Sequence, residues 1–426
     1  MTDDRLIESL RAGDLTLPEY LAQAESRFME HESSIFAFIP ENDRFTRLHK
    51  ETEALISQYP DVIDRPPLYG MLIGVKDIFH VEGFVTQAGS RLPSEELQGA
   101  EAESVTKLKN AGALILGKTV TTEFAYFSPG PTRNPNNLEH TPGGSSSGSA
   151  AAVAAGLCSL ALGTQTIGSI IRPAAFCGVV GVKPTYDRIS RNGVIPLSSS
   201  FDHVGFFTPD VSTAKLAAPS LYNDWNDSSS SDKKPTLGIP EGDYLSYASD
   251  EALDCLSAIY DSLVNAGYNV RSIPVISDYQ QVRDRHDAIM SYDASQVHKE
   301  WFEKYESLYS QKFTDLIKRG QSVSNLQSLI SARDNFRNQI IETMNENNID
   351  IWICPPTIGP APKGLESTGD PVMCLPWTQI GFPAINIPTT KNDDGLPMGL
   401  QLVGKWNSDE SLLAWAEDIE KIVRKI

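Results

Sequence analysis

Two loops of glycine and serine and one lysine are the parts of this 426-residue chain best suited to chemistry. The first loop reads Thr141-Pro142-Gly143-Gly144-Ser145-Ser146-Ser147-Gly148-Ser149. The second reads Gly163-Thr164-Gln165-Thr166-Ile167-Gly168-Ser169, with an alanine-rich run between them. Side chains this small pack little, and glycine lets backbone N–H groups approach another group closely. A serine presented at a turn from strand to helix has such N–H groups beside it, and they can hold a developing oxyanion. The same serines also suit turns and N-caps, so the pattern alone leaves both readings open. Lys76 lies in the apolar run Leu68-Tyr69-Gly70-Met71-Leu72-Ile73-Gly74-Val75-Lys76-Asp77. A lysine there is costly unless it is paired or neutral. Asp77 is adjacent, although neighbours in a strand point to opposite faces.

These groups need elements to hold them. Ser149 to Leu157 is apolar on every side, which predicts a buried helix stopped at Gly156. Ser159 to Gly163 predicts a short buried strand that delivers the second loop to the foot of another helix. Residues 5 to 60 read as helical, with Thr16-Leu17-Pro18-Glu19 opening a capped helix that runs to about Met29. Thr236 onward reads as a strand, a helix over about 250–266, a strand over 269–275 and helical stretches to about Glu346.

Two patterns mislead. Gly112-Ala113-Leu114-Ile115-Leu116-Gly117-Lys118-Thr119 satisfies the P-loop spacing. Glu103 to Ala111 reads as a helix and Ala113 to Leu116 as a strand, however, and a strand's alternating N–H groups cannot cradle a phosphate. A nucleotide-binding protein is therefore the outsider. Gly144-Ser145-Ser146-Ser147-Gly148 satisfies the G-x-S-x-G nucleophile elbow, with His140 and Asp202 as conceivable partners. An elbow follows a hydrophobic strand, whereas Asn134 to Pro142 reads as a loop.

The two serine loops, in this order and at this spacing, resemble the amidase signature family, whose hallmark is a Gly-Gly-Ser-Ser-Gly loop followed by a Thr-Asp-x-Gly-Gly-Ser-type loop. The strand ending in Lys76-Asp77 looks like that family's Gly-Val-x-x-x-x-Lys-Asp strand. Gly117-Lys118-Thr119 through Glu123-Phe124, the segment 179–205 and the tail around Ile351–Cys354, Gly381–Pro388 and Gly395–Gly404 are similar to it as well. The resemblance implies a mixed, largely parallel α/β sheet with helices on both faces. It also implies a single domain over 1–426, with a smaller lobe at 236–345 covering the substrate pocket.

Carried over residue by residue, the resemblance makes Ser169 the nucleophile, Ser145 the bridging serine with a cis peptide bond, and Lys76 the base. The backbone N–H groups of Thr166, Ile167, Gly168 and Ser169 become the oxyanion hole. The activity so implied is hydrolysis of an amide, ester or carbamate through an acyl-enzyme. The alternative is the glutaminase subunit of a tRNA-dependent amidotransferase. The chain departs from the family at Ile167 (usually Gly or Ala), Ser147 (Gly), Gln165 (Asp) and Val120 (Asn). Arg172, three residues after Ser169, is a candidate grip for a substrate carboxylate or a structural ion-pair partner. Pro173 disfavours helical geometry at Arg172.

Composition narrows the partners. A net charge of −19 argues against nucleic acid and anionic membrane surfaces. No apolar run is long enough for a span. The acidic start Met1-Thr2-Asp3-Asp4 is unlike a signal peptide, and five scattered cysteines read as reduced thiols, which together point to the cytoplasm. No Cys/His cluster has zinc spacing, so neither a metal nor another cofactor is expected. The expected partner is a small amide substrate, with a homodimer left open. Residues 224–235, including Ser228 to Ser231, read as an exposed loop or linker, and Asn226-Asp227-Ser228 is a glycosylation sequon by letters only.

Overall fold

Lys76 and the second serine loop both sit at ends of strands that are buried along their whole length. The computed structural model describes residues 3–226 and 233–425. Ser228 to Ser231, half of the expected linker and part of the sequon lie outside the described residues. Ten strands form one sheet. They are β1 (Leu72–Lys76), β2 (Leu114–Thr119), β3 (Leu160–Gln165), β4 (Val180–Lys183), β5 (His203–Thr208), β6 (Thr236–Gly242), β7 (Asn269–Ile276), β8 (Ile351–Cys354), β9 (Ala384–Lys391) and β10 (Pro397–Gly404). Their order across the sheet is β2-β1-β3-β5-β4-β9-β10-β8-β6-β7.

The sheet is mixed, as expected, but its pairing is not largely parallel. Only its two ends are parallel, β2-β1-β3 at one and β8-β6-β7 at the other. The five pairings between them, from β3-β5 to β10-β8, are antiparallel. The short turn between β9 and β10 is the physical reason for part of this, since only antiparallel strands accept so brief a connection. β6 and β7 extend the same sheet, so residues 236–345 contribute strands to it as well as helices.

The buried helix lies at Ser147–Ala154 and packs on β1, β2 and β3. Gly156 follows it with a φ of 65°. Gly148 is needed there because a Cβ would sit 2.2 Å from the carbonyl oxygen of Ala37. This helix also touches the helix Ile171–Cys177, which packs on β4, β9 and β10. A second group, Val211–Leu221, Asp250–Asn265 and Asp409–Val423, packs on β4, β5, β7, β9 and β10. The helix opened by Thr16 runs over Leu17–Ile35, and both halves of its capping box are formed. No helix among the described residues is long and apolar enough to cross a membrane.

Candidate active site

β1 ends on Lys76, which is 0% exposed. Its ammonium nitrogen Nζ lies 2.7 Å from Ser145 Oγ and 2.8 Å from Thr164 Oγ1. Burial drives this amine well below the ordinary lysine pKa, and the Asp202 carboxylate pulls weakly the other way. The amine is therefore held by two hydroxyls and no carboxylate. Asp77, the adjacent acid, pairs instead with Lys118 on β2 at 2.8 Å. Lys118 is the lysine of the P-loop-like pattern, and it lies inside β2, which runs past the expected end at Leu116 to Thr119.

Ser145 follows a cis peptide bond from Gly144. The next serine, Ser146, central in the G-x-S-x-G pattern, is buried and tied to the backbone of Thr164. His140 bonds to the carbonyl of Ala361, so no Ser-His-Asp arrangement forms there.

The second loop leaves β3 at Gln165. The side-chain oxygen of Gln165 accepts the N–H groups of Ile170 and Ile171 at 2.8 and 2.9 Å, and its amide donates to Thr378. A neutral amide thus ties down the loop where the family more often has Asp. Thr378 also donates to the carbonyl of Ile167 at 2.6 Å, and Thr166 donates to Asp202 at 2.6 Å. With the loop so fixed, the N–H groups of Thr166, Ile167, Gly168 and Ser169 make no hydrogen bond among the described residues. Backbone N–H groups without a protein acceptor beside a serine are donors that a developing oxyanion could use. Ile167 has no positive φ, so its β-branched side chain is not strained there. Gly168 has room for no side chain, because a Cβ would lie 2.8 Å from Pro371.

Ser169 is 8% exposed. It lines one pocket with Ser145, Thr166, Ile167, Arg172 and Thr368. Its hydroxyl forms no hydrogen bond with Ser145 or Lys76, so the structure brings the three residues to one place and bonds only the last two. Tyr126, Phe127, Ile167 and Pro371 also border an outer cavity of about 490 Å³. That is room for a small organic molecule.

Arg172 lies inside the helix Ile171–Cys177 although Pro173 follows it. A proline in the first helical turn removes no intrahelical bond. Arg172 is buried, and its guanidinium donates to the carbonyls of Gly369 and Gly144 at 2.7 Å each and to Thr368 at 3.3 Å. Burial lowers its pKa to about 10. It thus holds the carbonyl of the peptide that leads into Ser145, and it makes no ion pair among the described residues.

Other residues of the site carry no motif. Thr164 is the second partner of Lys76, and its place two residues before Thr166 in a strand was the one available signal. His286 stacks on Phe201 with centroids 4.1 Å apart, places Nε2 3.1 Å from the Thr166 carbonyl and borders the outer cavity. Burial lowers its pKa to about 3, so the ring is neutral and Nε2 is the donor.

The Amidase family profile matches residues 19–413. The A subunit of the glutamyl-tRNA(Gln) amidotransferase from Lysinibacillus sphaericus (strain C3-41) is 30% identical over 97% of this chain and 94% of its own length. The same-named protein of Koribacter versatilis (strain Ellin345) is 32% identical over 84% of this chain and 85% of its own. A solved amidase structure superposes with a TM-score of 0.89 at 28% identity, covering 99% of this chain and 100% of that one. A solved chain from a vestigial protein complex bearing on the origins of an s-triazine catabolic enzyme has a TM-score of 0.89 at 26% identity, covering 99% of both. The chain belongs to the amidase family and is a hydrolase of amide C–N bonds.

Proposed function

We propose that the protein cleaves a small carboxylic amide through an acyl-enzyme on Ser169, with Ser145 and Lys76 as its proton relay. One observation carries the reading: a fully buried lysine amine, without a carboxylate partner, lies 2.7 Å from Ser145 Oγ beside the pocket that Ser169 lines. Serine is a weak nucleophile at its free pKa and needs a base. A lysine serves only when neutral, and burial favours the neutral form here. Ser145, donor and acceptor at once, takes the proton of Ser169 while giving its own to Lys76. Ser169 Oγ bonds to the substrate's carbonyl carbon, and the carbonyl oxygen becomes an oxyanion facing the N–H groups of residues 166–169. Each such donor is worth about 3 kcal/mol in the transition state. Collapse breaks the C–N bond, and the proton returns through Ser145 to the leaving amine. Water, deprotonated by the same relay, then releases the acid.

Arg172 acts as a positioning residue in this scheme, because its Nη1 and Nη2 donate to the carbonyls of Gly369 and Gly144, the latter in the peptide that leads into Ser145. Residues 236–345 form the lobe over the substrate pocket, with Arg283 and His286 on its wall. Esters and carbamates present the same carbonyl geometry and fall within the same reaction class.

The test is a panel of amides, esters and carbamates followed by intact-protein mass spectrometry. An acyl adduct on Ser169 is expected, and Ser169→Ala should lose it together with roughly 10⁴-fold or more of turnover. Unchanged turnover in that variant would end the proposal. The names of the relatives favour a second reading, the glutaminase subunit of a tRNA-dependent amidotransferase. Activity confined to glutamine, together with copurifying subunits, would select it over a stand-alone amidase.

A further inference from the structure

The helix Leu326–Glu346 places Arg333 and Arg337 on the wall of a further cavity of about 310 Å³. Ser199, Gln379 and Trp406 also line it. Arg285 lies behind Gln379, borders a neighbouring cavity rather than this one, and is 5% exposed. Its Nε donates to Gln379 Oε1 at 2.8 Å, while its Nη2 is buried with no hydrogen-bond partner. Arg337 is fixed by a bond from Nε to the carbonyl of Ile380 at 2.8 Å, with its guanidinium 4.6 Å from the Trp406 ring centre.

The charges here do not balance. Asp334 pairs with Arg333 at 2.9 Å and lies 3.6 Å from Arg337. Arg285 makes no ion pair among the described residues. Two guanidiniums therefore share one half-exposed carboxylate, and Arg285 beside them has none, in a chain whose net charge is −19. Burial first, and the neighbouring charge of Arg333 after it, lowers the pKa of both Arg285 and Arg337. A guanidinium presents its N–H groups as a rigid fork, which suits a delocalised oxyanion better than a point charge.

We propose that this cavity binds a small oxyanion, the carboxylate or phosphate group of a metabolite, between Arg333 and Arg337 with Arg285 behind. The cavity adjoins the supports of the second serine loop. Gln379 follows Thr378, which holds the Ile167 carbonyl, and Arg285 precedes His286, which meets the Thr166 carbonyl. An occupant would thus sit against Gln379, one residue away from a contact that fixes the second serine loop.

The experiment is isothermal titration of the full-length protein with inorganic phosphate and, separately, with acetate, at constant ionic strength in chloride. Saturable binding at one site is expected for at least one anion. It should weaken tenfold or more in Arg333→Gln and by less in Arg333→Lys. Tighter phosphate than acetate assigns a phosphate group, and the reverse assigns a carboxylate. Arg333 pairs only with its chain neighbour Asp334, so Arg333→Gln should melt like the parent. If it does not, an anion-dependent change in fluorescence that disappears in Trp406→Phe reports the same site with every arginine in place. Absence of saturable binding, or equal binding by Arg333→Gln, would overturn the assignment. Because binding is read without turnover, the result is independent of the amide-cleavage scheme.

Discussion

Lys76 and Lys118 stand on the adjacent strands β1 and β2, one register step apart, and both are buried. Burial lowers the pKa of each. What differs is the company. Lys118 has the Asp77 carboxylate at 2.8 Å and the Thr86 hydroxyl at 3.0 Å. Lys76 has only the hydroxyls of Ser145 and Thr164. A contacting counter-ion offsets the cost of desolvation and keeps an ammonium. Without one, the less costly state in the same wall is the neutral amine. Residue type and burial are thus equal, and a single carboxylate separates a structural cation from a candidate base.

The comparison breaks most visibly in activity. Lys76→Met should cost about 10³-fold or more in kcat/KM, with a smaller change in unfolding free energy than Lys118→Met. Activity within tenfold of the parent would show that Lys76 is not the base. Stability comes next. Lys118→Met strands the Asp77 carboxylate in the core and should lose about 3–5 kcal/mol in urea denaturation. Adding Asp77→Asn should return much of that loss, and a double-mutant cycle without coupling would refute the pairing.

pH sharpens the contrast further. In the proposed scheme turnover needs Lys76 neutral, so it should fall as pH drops through a pKa below the ordinary lysine range. Giving Lys76 its own carboxylate by Thr164→Asp should move that acid limb up by about 1–3 pH units, while Thr164→Asn should move it little. An unmoved limb in Thr164→Asp would assign the titration to another group.

The smallest effect belongs to a third buried lysine. Lys183 is 0% exposed and donates to the carbonyls of Pro184 and Phe382. Burial lowers its pKa to about 7. Between that value and the unfolded value of about 10.4, the unfolded chain holds the extra proton, so stability rises with pH. Each pH unit in that window adds up to about 1.4 kcal/mol. The slope should flatten in Lys183→Met, as urea unfolding at pH 8, 9 and 10 would show.

Much of this was readable from the chain. The serine loops, the strand holding Lys76, the helix 147–154 and the capping box are local patterns, and local physics produces them. The Lys118–Asp77 pair was not readable, because it depends on which strand lies beside β1. Strand order also decides the pairing sense, which is why a largely parallel sheet was expected where the middle is antiparallel. Arg172 shows the same limit. Its carbonyl partners at Gly144 and Gly369 are brought together only by the complete fold, and they stand where the sequence allowed an acid partner. Gln165 was visible as a departure from the family, yet only its two N–H contacts reveal that an amide can hold the loop without charge.

The alternation of strand direction has a practical consequence. Lys76, Gln165 and Lys183 close their strands, and His203 and Ala384 open theirs, so all five lie along one rim. The turn at 392–395 joins β9 to β10 at the opposite rim, with Asp393 and Asp394 exposed. A fluorescent protein or affinity module spliced between those two aspartates would hang a full sheet-height from the chemistry. Such a graft is expected to leave kcat unaltered, which makes the turn the natural mounting point for immobilising this protein.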